Sequence, residues 1–161
     1  STMTNIQRLH HAACRCRDSE ETRGFYEDFL GLQLINALAI GSTKSGRSAN
    51  VLHTFYAMDD GSCLAFFEAP DEPFDFKQQH DFDLHIALQV DRETLLAMFE
   101  KGREAGIETR GIADHGFIAS IYFRDPNGYV LELSTPKEGE AMRDMAAAND
   151  ILQSWQDSKV G

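Results

Sequence analysis

An internal duplication constrains the fold of this chain more than any other feature of its sequence. One strand-like alternation begins at His11 and leads into a helical stretch over Ser19–Leu30, and a second begins at His85 and leads into Glu93–Ala105. The two histidines are 85 − 11 = 74 residues apart. Solenoid repeats span only about 20–50 residues, so this spacing predicts two copies of a βαβββ module.

Each copy ends its helix at a glycine and closes with a hairpin. Gly31 and Gly106 follow the last helical turns, where glycine readily adopts the left-handed cap conformation. Asp-Asp-Gly in the first copy and Asp-Pro-Asn-Gly in the second separate β-rich runs, which is typical of hairpin turns. The pattern predicts one α+β domain over residues 1–161, with module one at about 6–70 and module two at about 82–136.

The residues after Pro136 depart from this repeat. Glu138–Gln156 is rich in Ala, Met and Glu, and a further set of residues falls at roughly helical spacing: Met142, Met145, Asn149, Leu152 and Trp155. We therefore expect an extra C-terminal helix at about 138–156, packed on the body or on a second subunit. A functional methionine stripe is the alternative.

Charge and cysteine content exclude several classes of protein. The chain carries 15 Lys and Arg against 26 Asp and Glu, a net charge of −11. Nucleic acids and anionic membranes both select basic surfaces, so we expect neither as a partner. No apolar run reaches the ~20 residues of a membrane span, and no signal peptide follows Met3. Three cysteines do not make a disulfide framework, so we expect a reduced, cytoplasmic protein.

Strand alternation places three chemically capable side chains on equivalent faces. His11 and His85 begin the equivalent strands of the two copies, on the side opposite the following helix, and Glu132 faces away from the helix in the last strand. A carboxylate embedded in an apolar strand requires a cationic partner. If the two modules pair with these faces inward as a cup, the three side chains converge. Two histidines and a carboxylate form a facial triad for one divalent metal.

The sequence resembles the vicinal oxygen chelate superfamily, which includes glyoxalase I, fosfomycin-resistance proteins, bleomycin-binding proteins and extradiol dioxygenases. The resemblance covers most of residues 6–136. It rests on His11-x6-Asp18, Phe25-Tyr26-x3-Leu30-Gly31-Leu32, His85-Ile-Ala-Leu-Gln-Val and Ser120-Ile-Tyr-Phe-Arg-Asp-Pro-Asn-Gly-Tyr-Val-Leu-Glu132. It implies a cup-shaped sheet of paired βαβββ modules around a metal site, with His11, His85 and Glu132 at the ligand positions.

The resemblance also implies how many ligands the metal has. Glyoxalase-type and epimerase-type members carry a fourth ligand, Glu or Gln, on the last strand of the first module. Alignment of Pro70 with Pro136 places Phe66 at that position, and Phe66 cannot bind a metal. Glu68 would substitute only if the strand register slipped. A three-ligand site is therefore expected, as in extradiol dioxygenases and fosfomycin-resistance enzymes.

Three further residues are candidates for catalysis. Tyr122 matches the spacing at which extradiol dioxygenases place a tyrosine on the substrate oxygen, with a filler aromatic as the alternative. The catalytic histidine of those enzymes would fall near Ser62 and is absent there. His53 or His115 would then supply a base, because a histidine pKa lies near neutrality.

The preferred function is that of a metal-dependent dioxygenase, which would catalyse extradiol-type ring cleavage of a catechol-like substrate. The enzyme would use one divalent metal, with Fe(II) favoured and Mn, Zn or Ni as alternatives. An isomerase or lyase that acts through an enolate is the second hypothesis, and a small-molecule binding or resistance protein without catalysis is the third. The expected partners are a small aromatic or vicinal-oxygen substrate and, as is common in the family, a second copy of the chain in a homodimer.

Overall fold

The computed structural model describes residues 4–42, 45–46, 48–116, 118–137 and 143–159. Over these residues the chain forms two four-stranded sheets and three α-helices. The first sheet contains β1 (His11–Arg15), β2 (Gln33–Ser42), β3 (Ser48–Ala57) and β4 (Cys63–Glu68). The second contains β5 (His85–Gln89), β6 (Thr109–Asp114), β7 (Ile118–Arg124) and β8 (Val130–Pro136). The helices are α1 (Ser19–Arg23), α2 (Arg92–Glu104) and α3 (Met145–Ser158).

The two sheets have the same topology, which confirms the predicted duplication. Their strand orders are β1-β4-β3-β2 and β5-β8-β7-β6. The first strand of each module runs parallel to the last, and the remaining neighbours are antiparallel. His11 lies opposite Cys63, and His85 lies opposite Val130. This common register relates each position of one module to a position of the other.

α1 and α2 begin within one residue of their predicted starts, at aspartate caps. The carboxylates of Asp18 and Asp91 accept hydrogen bonds from backbone N–H groups three residues ahead, at 2.8 and 2.7 Å. α2 lies one residue earlier at both ends than its predicted bounds. The first helix does not stay α-helical, because Gly24–Phe29 forms a π-helix directly after α1. Its wider turns place Phe25, Tyr26 and Phe29 in the core.

Both modules contribute to one hydrophobic core. The Phe29 ring packs edge-on against Phe123, with centroids 5.2 Å apart. The Tyr26 hydroxyl donates to the Asp125 carboxylate at 2.7 Å, and both side chains are buried. The helix-facing sides of the two sheets are therefore packed together. The opposite faces, which carry His11 and His85, are left at the surface of the chain.

The C-terminal helix α3 begins at Met145, directly after its cap Asp144, and ends two residues beyond the predicted end. The first part of the predicted 138–156 helix, including Met142, lies outside the described residues. Within α3, Ala147 is half-buried and every other residue is exposed. Among the described residues, no helix combines the length and hydropathy needed to cross a membrane.

Candidate functional site

Glu132 is a buried carboxylate on the outward face of the second sheet. It is 4% exposed. Its Oε2 accepts hydrogen bonds from the hydroxyls of Ser120 and Ser134, at 2.7 and 2.6 Å. Its Oε1 lies 3.3 Å from Nε2 of His85 on the adjacent β5. One carboxylate oxygen is thus held by hydroxyls, and the other is directed at the histidine.

The hydrogen bond at the far side of the His85 ring determines which nitrogen carries the proton. Nδ1 of His85 lies 2.6 Å from the backbone oxygen of Asp81, which is only an acceptor, so Nδ1 carries the hydrogen. In the neutral ring the Nε2 lone pair then faces Oε1 of Glu132. Two lone pairs at that separation repel unless a proton or a metal cation lies between them. A histidine anchored through one nitrogen to a carbonyl is the usual arrangement of a metal ligand, so this pair fits a divalent metal.

Tyr122 and His115 form a hydrogen-bonded pair beside this carboxylate. Tyr122 lies directly opposite Glu132 across β7 and β8, and its hydroxyl is 2.5 Å from Nε2 of His115. The Arg110 guanidinium lies over the tyrosine ring at 5.0 Å. Burial, and next the charge of Glu132, raise the pKa of Tyr122. The phenol is therefore neutral at physiological pH and available to donate or accept a hydrogen bond.

A cavity of about 840 Å³ opens over these groups. Its size is typical of sites for small molecules. Its lining includes His85, His115, Ile118, Tyr122, Glu132 and Ser134.

His11 belongs to a separate group on the outward face of the first sheet. Its ring packs edge-on against Phe55, with centroids 5.5 Å apart. Its Nδ1 is 2.8 Å from Nδ1 of His10. The hydrogen bonds of the described residues leave Nε2 of His11 without a partner.

His53 lies next to His11, with ring centroids 6.3 Å apart. Its ring stacks flat on Phe67, and its Nδ1 is 3.0 Å from the backbone oxygen of Phe66. That carbonyl fixes the hydrogen on Nδ1 and leaves Nε2 as an acceptor. By the register of the two modules, His53 occupies the position of Ser120, and Phe55 that of Tyr122.

The three predicted ligands do not converge within one chain. Across the residues that the structure describes, no cluster of three or more His, Cys, Asp or Glu side chains is arranged to hold a metal ion. His85 and Glu132 form one part of the predicted triad, and His11 lies with the first sheet. The condition for convergence, that both faces turn inward in one chain, is not met over the described residues, because the modules bury their helix-facing sides together.

The register also corrects the residue that was expected at the fourth ligand position. In the second module, Glu132 is two residues after Val130, the strand partner of His85. In the first module the strand partner of His11 is Cys63, so the residue equivalent to Glu132 is Ala65. Phe66 points into the core, where it packs on Tyr26 with centroids 4.6 Å apart. Alanine offers no ligand atom, so the first module still lacks the fourth ligand.

Glu68, the other candidate for that position, is engaged elsewhere. Its Oε1 accepts a hydrogen bond from the backbone N–H of Ser19 at 2.5 Å, at the beginning of α1. It therefore lies on the helix side of β4 and not on the face of His11.

The residues that support the candidate ligands were not among those predicted from the sequence. Ser120 and Ser134 are each two residues from a candidate functional residue, Tyr122 and Glu132, on the same strand. Side chains two apart in a strand share a face, so alternation alone points to them. Asp81 contacts His85 through its backbone oxygen and Arg110 through its carboxylate. It lies in a loop, where no periodic pattern predicts which residues it will contact.

Comparison with known proteins agrees with this architecture. A family model described as the Glyoxalase/Bleomycin resistance protein/Dioxygenase superfamily matches residues 8–133. No match to a curated protein sequence accompanies it.

Solved structures with the same fold include a glyoxalase/dioxygenase from Nostoc punctiforme, with 24% identity, a TM-score of 0.65, and coverage of 86% of this chain and 98% of that one. A variant of the fosfomycin resistance protein FosX from Listeria monocytogenes, in complex with Mn(II) and 1S,2S-dihydroxypropylphosphonic acid, has 19% identity and a TM-score of 0.63, over 86% of this chain and 100% of that one. A glyoxylase/bleomycin resistance protein/dioxygenase domain from Frankia sp. EAN1pec has 17% identity and a TM-score of 0.63, over 84% and 100%.

The paired βαβββ modules and a family match that spans most of the chain lead to one assignment. The chain belongs to the glyoxalase/bleomycin resistance protein/dioxygenase superfamily.

Proposed function

We propose that the protein is a metal-dependent enzyme whose metal site is completed by two copies of the chain. His85 and Glu132 of one copy would bind the metal together with His11 of a second copy. The observation that carries the proposal is the facing pair of His85 Nε2 and Glu132 Oε1, which needs a cation. The remaining candidate ligand lies on a different outward face of the chain.

The surface area of the chain supports a second copy. The chain exposes 11182 Å², whereas a monomer of 18.1 kDa exposes only about 8,100 Å². The difference of about 3,000 Å² exceeds the ~800 Å² per partner that a standard interface buries. A face-to-face arrangement, in which the first sheet of one copy covers the second sheet of another, would bury this surface and form the cup.

The side chains around the site suggest how a substrate is handled. A bound divalent metal would polarise two adjacent substrate oxygens, and Fe(II) would in addition allow chemistry with O2. Tyr122, held by His115, would donate a hydrogen bond to a substrate oxygen. His53 of the second copy would accept the proton that the substrate loses, because its tautomer leaves Nε2 free. His115 would then orient Tyr122 and not act as the base.

Extradiol-type cleavage of a catechol-like substrate remains the preferred reaction. It is supported by the missing fourth ligand at Ala65 and by the aromatic surface of Phe55 and Phe67, which suits a planar ring. An isomerase or lyase reaction through an enolate is the second candidate. His53 favours that reaction, because a free base next to a ligand is what proton abstraction requires.

Mixing two inactive variants tests the shared site. His11→Ala and His85→Ala should each lose metal affinity by at least 10-fold, since even changes outside the ligand set cost about 10–100-fold. Refolding the two variants together in equal amounts makes half of the dimers mixed, and each mixed dimer contains one intact site of two. Metal analysis should then find about a quarter of the wild-type metal content.

Three other results would contradict the shared metal site, each in a different way. If all ligands came from one chain, the mixture would recover nothing. If either single variant kept wild-type metal content, the ligand assignment would be wrong. A wild-type protein that binds a small aromatic ligand but no divalent metal would identify a binding protein without catalysis.

The reaction itself is tested by two assays on the same protein. Oxygen consumption with a panel of catechols, after anaerobic reconstitution with Fe(II), should be accompanied by a yellow ring-fission product. Hemithioacetal isomerisation with Ni(II), Zn(II) or Mn(II) is the alternative. Turnover in the second assay alone would replace the dioxygenase proposal with the isomerase. In either assay His53→Gln should reduce kcat while metal content is unchanged.

A further inference from the structure

α3 presents large apolar side chains to solvent along most of its length. Met145, Ile151, Leu152 and Trp155 are 82, 70, 60 and 63% exposed. Met145, Leu152 and Trp155 recur at spacings of seven and three, which places them on one stripe of the helix. Monomeric soluble proteins rarely leave such a stripe uncovered.

The helix does not gain its stability from the rest of its own chain. None of its described residues is buried. It has 14 residues and an aspartate cap, in which the Asp144 carboxylate accepts from the N–H of Ala147 at 3.0 Å. Isolated helices of fewer than about 12–15 residues are marginal in water even for alanine-rich sequences. α3 therefore needs a surface that covers its apolar stripe.

The surroundings of α3 favour a second copy of this chain as that surface. β8 ends at Pro136, which lines the same cavity as His85 and Glu132. Met145 is the ninth residue after Pro136, so α3 begins within about 30 Å of the face on which a second copy would complete the site. The net charge of −11 disfavours nucleic acid and anionic membranes as occupants.

We propose that α3 is a dimerisation arm, which packs Leu152 and Trp155 against the body of a second copy. The arm would cover part of the ~3,000 Å² by which the chain exceeds the surface of a compact monomer. The proposal concerns assembly and goes beyond the proposed reaction, because α3 contributes none of the candidate ligands.

Trp155 is the only tryptophan in the chain, so tryptophan fluorescence reports on α3 alone. In the full-length protein at micromolar concentration, the emission should be blue-shifted, as for a buried indole. On dilution it should shift to the red over the same concentration range in which analytical ultracentrifugation shows the dimer dissociating.

Two variants with the same added charge separate packing from a general effect of charge. Leu152→Glu lies on the apolar stripe and should weaken the dimer by at least 10-fold in Kd. Ser154→Glu is on the opposite side of the helix and should leave Kd within about two-fold of wild type. Circular dichroism of both variants checks that the body remains folded.

Three results would overturn the proposal. A dimer whose Trp155 emission is that of an exposed indole would mean that α3 takes no part in it. A monomer with a buried Trp155 would mean that α3 packs on its own chain. An unchanged Kd in Leu152→Glu would remove the stripe from the interface. Metal content measured on concentrated Leu152→Glu protein separates these results from a failure of the shared metal site, which needs His11, His85 and Glu132 but not α3.

Discussion

At the scale of single residues, the environment of Glu132 shows why a carboxylate is tolerated in a buried strand. Two serine hydroxyls stabilise its Oε2, and its Oε1 faces Nε2 of His85. Burial of an unpaired carboxylate costs several kcal/mol, so the hydroxyls offset only part of the cost and a cation would offset the rest. The serines thus hold one oxygen of the carboxylate in place and leave the other directed at His85.

Removal of these hydroxyls should weaken metal binding without removing a ligand. The double variant Ser120→Ala/Ser134→Ala should lose about 10–100-fold in metal affinity, because the carboxylate is no longer oriented. Titration with a chelator-buffered metal measures this. Ser62→Ala is the matched control, since Ser62 binds Asp60 away from the site. Equal affinities in the double variant and the control would show that the hydroxyls play no part.

A second residue-scale prediction concerns the buried Tyr26–Asp125 pair that joins the modules. Tyr26→Phe removes a hydrogen bond to a charged group and should lower the free energy of unfolding by about 1.5–3 kcal/mol at neutral pH. Burial raises the pKa of Asp125 above its ordinary value of 3.8, and the Tyr26 hydroxyl opposes that rise. The contribution of Asp125 to the free energy of unfolding is therefore fully present below the pKa that this residue has in the unfolded chain. It is lost as the pH rises through the higher pKa that Asp125 has in the folded protein.

The variant should raise the folded pKa of Asp125 further, so its extra loss of stability should be largest at neutral pH. Urea denaturation at neutral pH and below the ordinary value of 3.8 compares the two conditions. A loss that stays constant across this range would mean that Tyr26 does not interact with the charged carboxylate.

At the scale of secondary-structure elements, the turn between β7 and β8 is fixed by its contact with the linker between modules. Gly128 has φ +102°, and a Cβ at this position would overlap the backbone oxygen of Lys77. The carbonyl of Gly128 also accepts a hydrogen bond from the N–H of Gln79 at 2.9 Å. The Asp-Pro-Asn-Gly motif thus forms the predicted turn and in addition anchors the linker.

Two glycine-to-alanine changes separate these contributions. Gly106 has φ +71° and open space around it, so Gly106→Ala should cost about 1–2 kcal/mol for the left-handed conformation alone. Gly128→Ala should cost more, because the alanine methyl group also meets a backbone atom that cannot rotate away. Chemical denaturation of both variants measures the difference. Equal losses in the free energy of unfolding would show that the linker backbone at Lys77 can move away from the added methyl group without loss of stability.

At the scale of the whole molecule, the large surface of the chain predicts that folding and association are coupled. The midpoint of thermal unfolding, Tm, should rise with protein concentration, because association stabilises only the folded chain. Differential scanning calorimetry over a 100-fold range of concentration measures this. A Tm that is independent of concentration would indicate that the outward faces are stable without a second copy.

The sequence by itself determined the duplication, the order of strands and helices, and the faces on which His11, His85 and Glu132 lie. These features follow from local periodicity and turn chemistry, which neighbouring residues decide. The aspartate caps and the closing hairpins were predictable for the same reason.

Only the tertiary structure decided the rest, because it depends on pairing between distant residues. Parallel pairing of β1 with β4 put Ala65, and not Phe66, at the position equivalent to Glu132. Packing of Phe29 on Phe123 turned the histidine faces outward, so that His11 lies apart from the His85–Glu132 pair in the described part of the chain. The Tyr122–His115 pair joins β7 to the loop directly before it, a contact that no periodic pattern encodes.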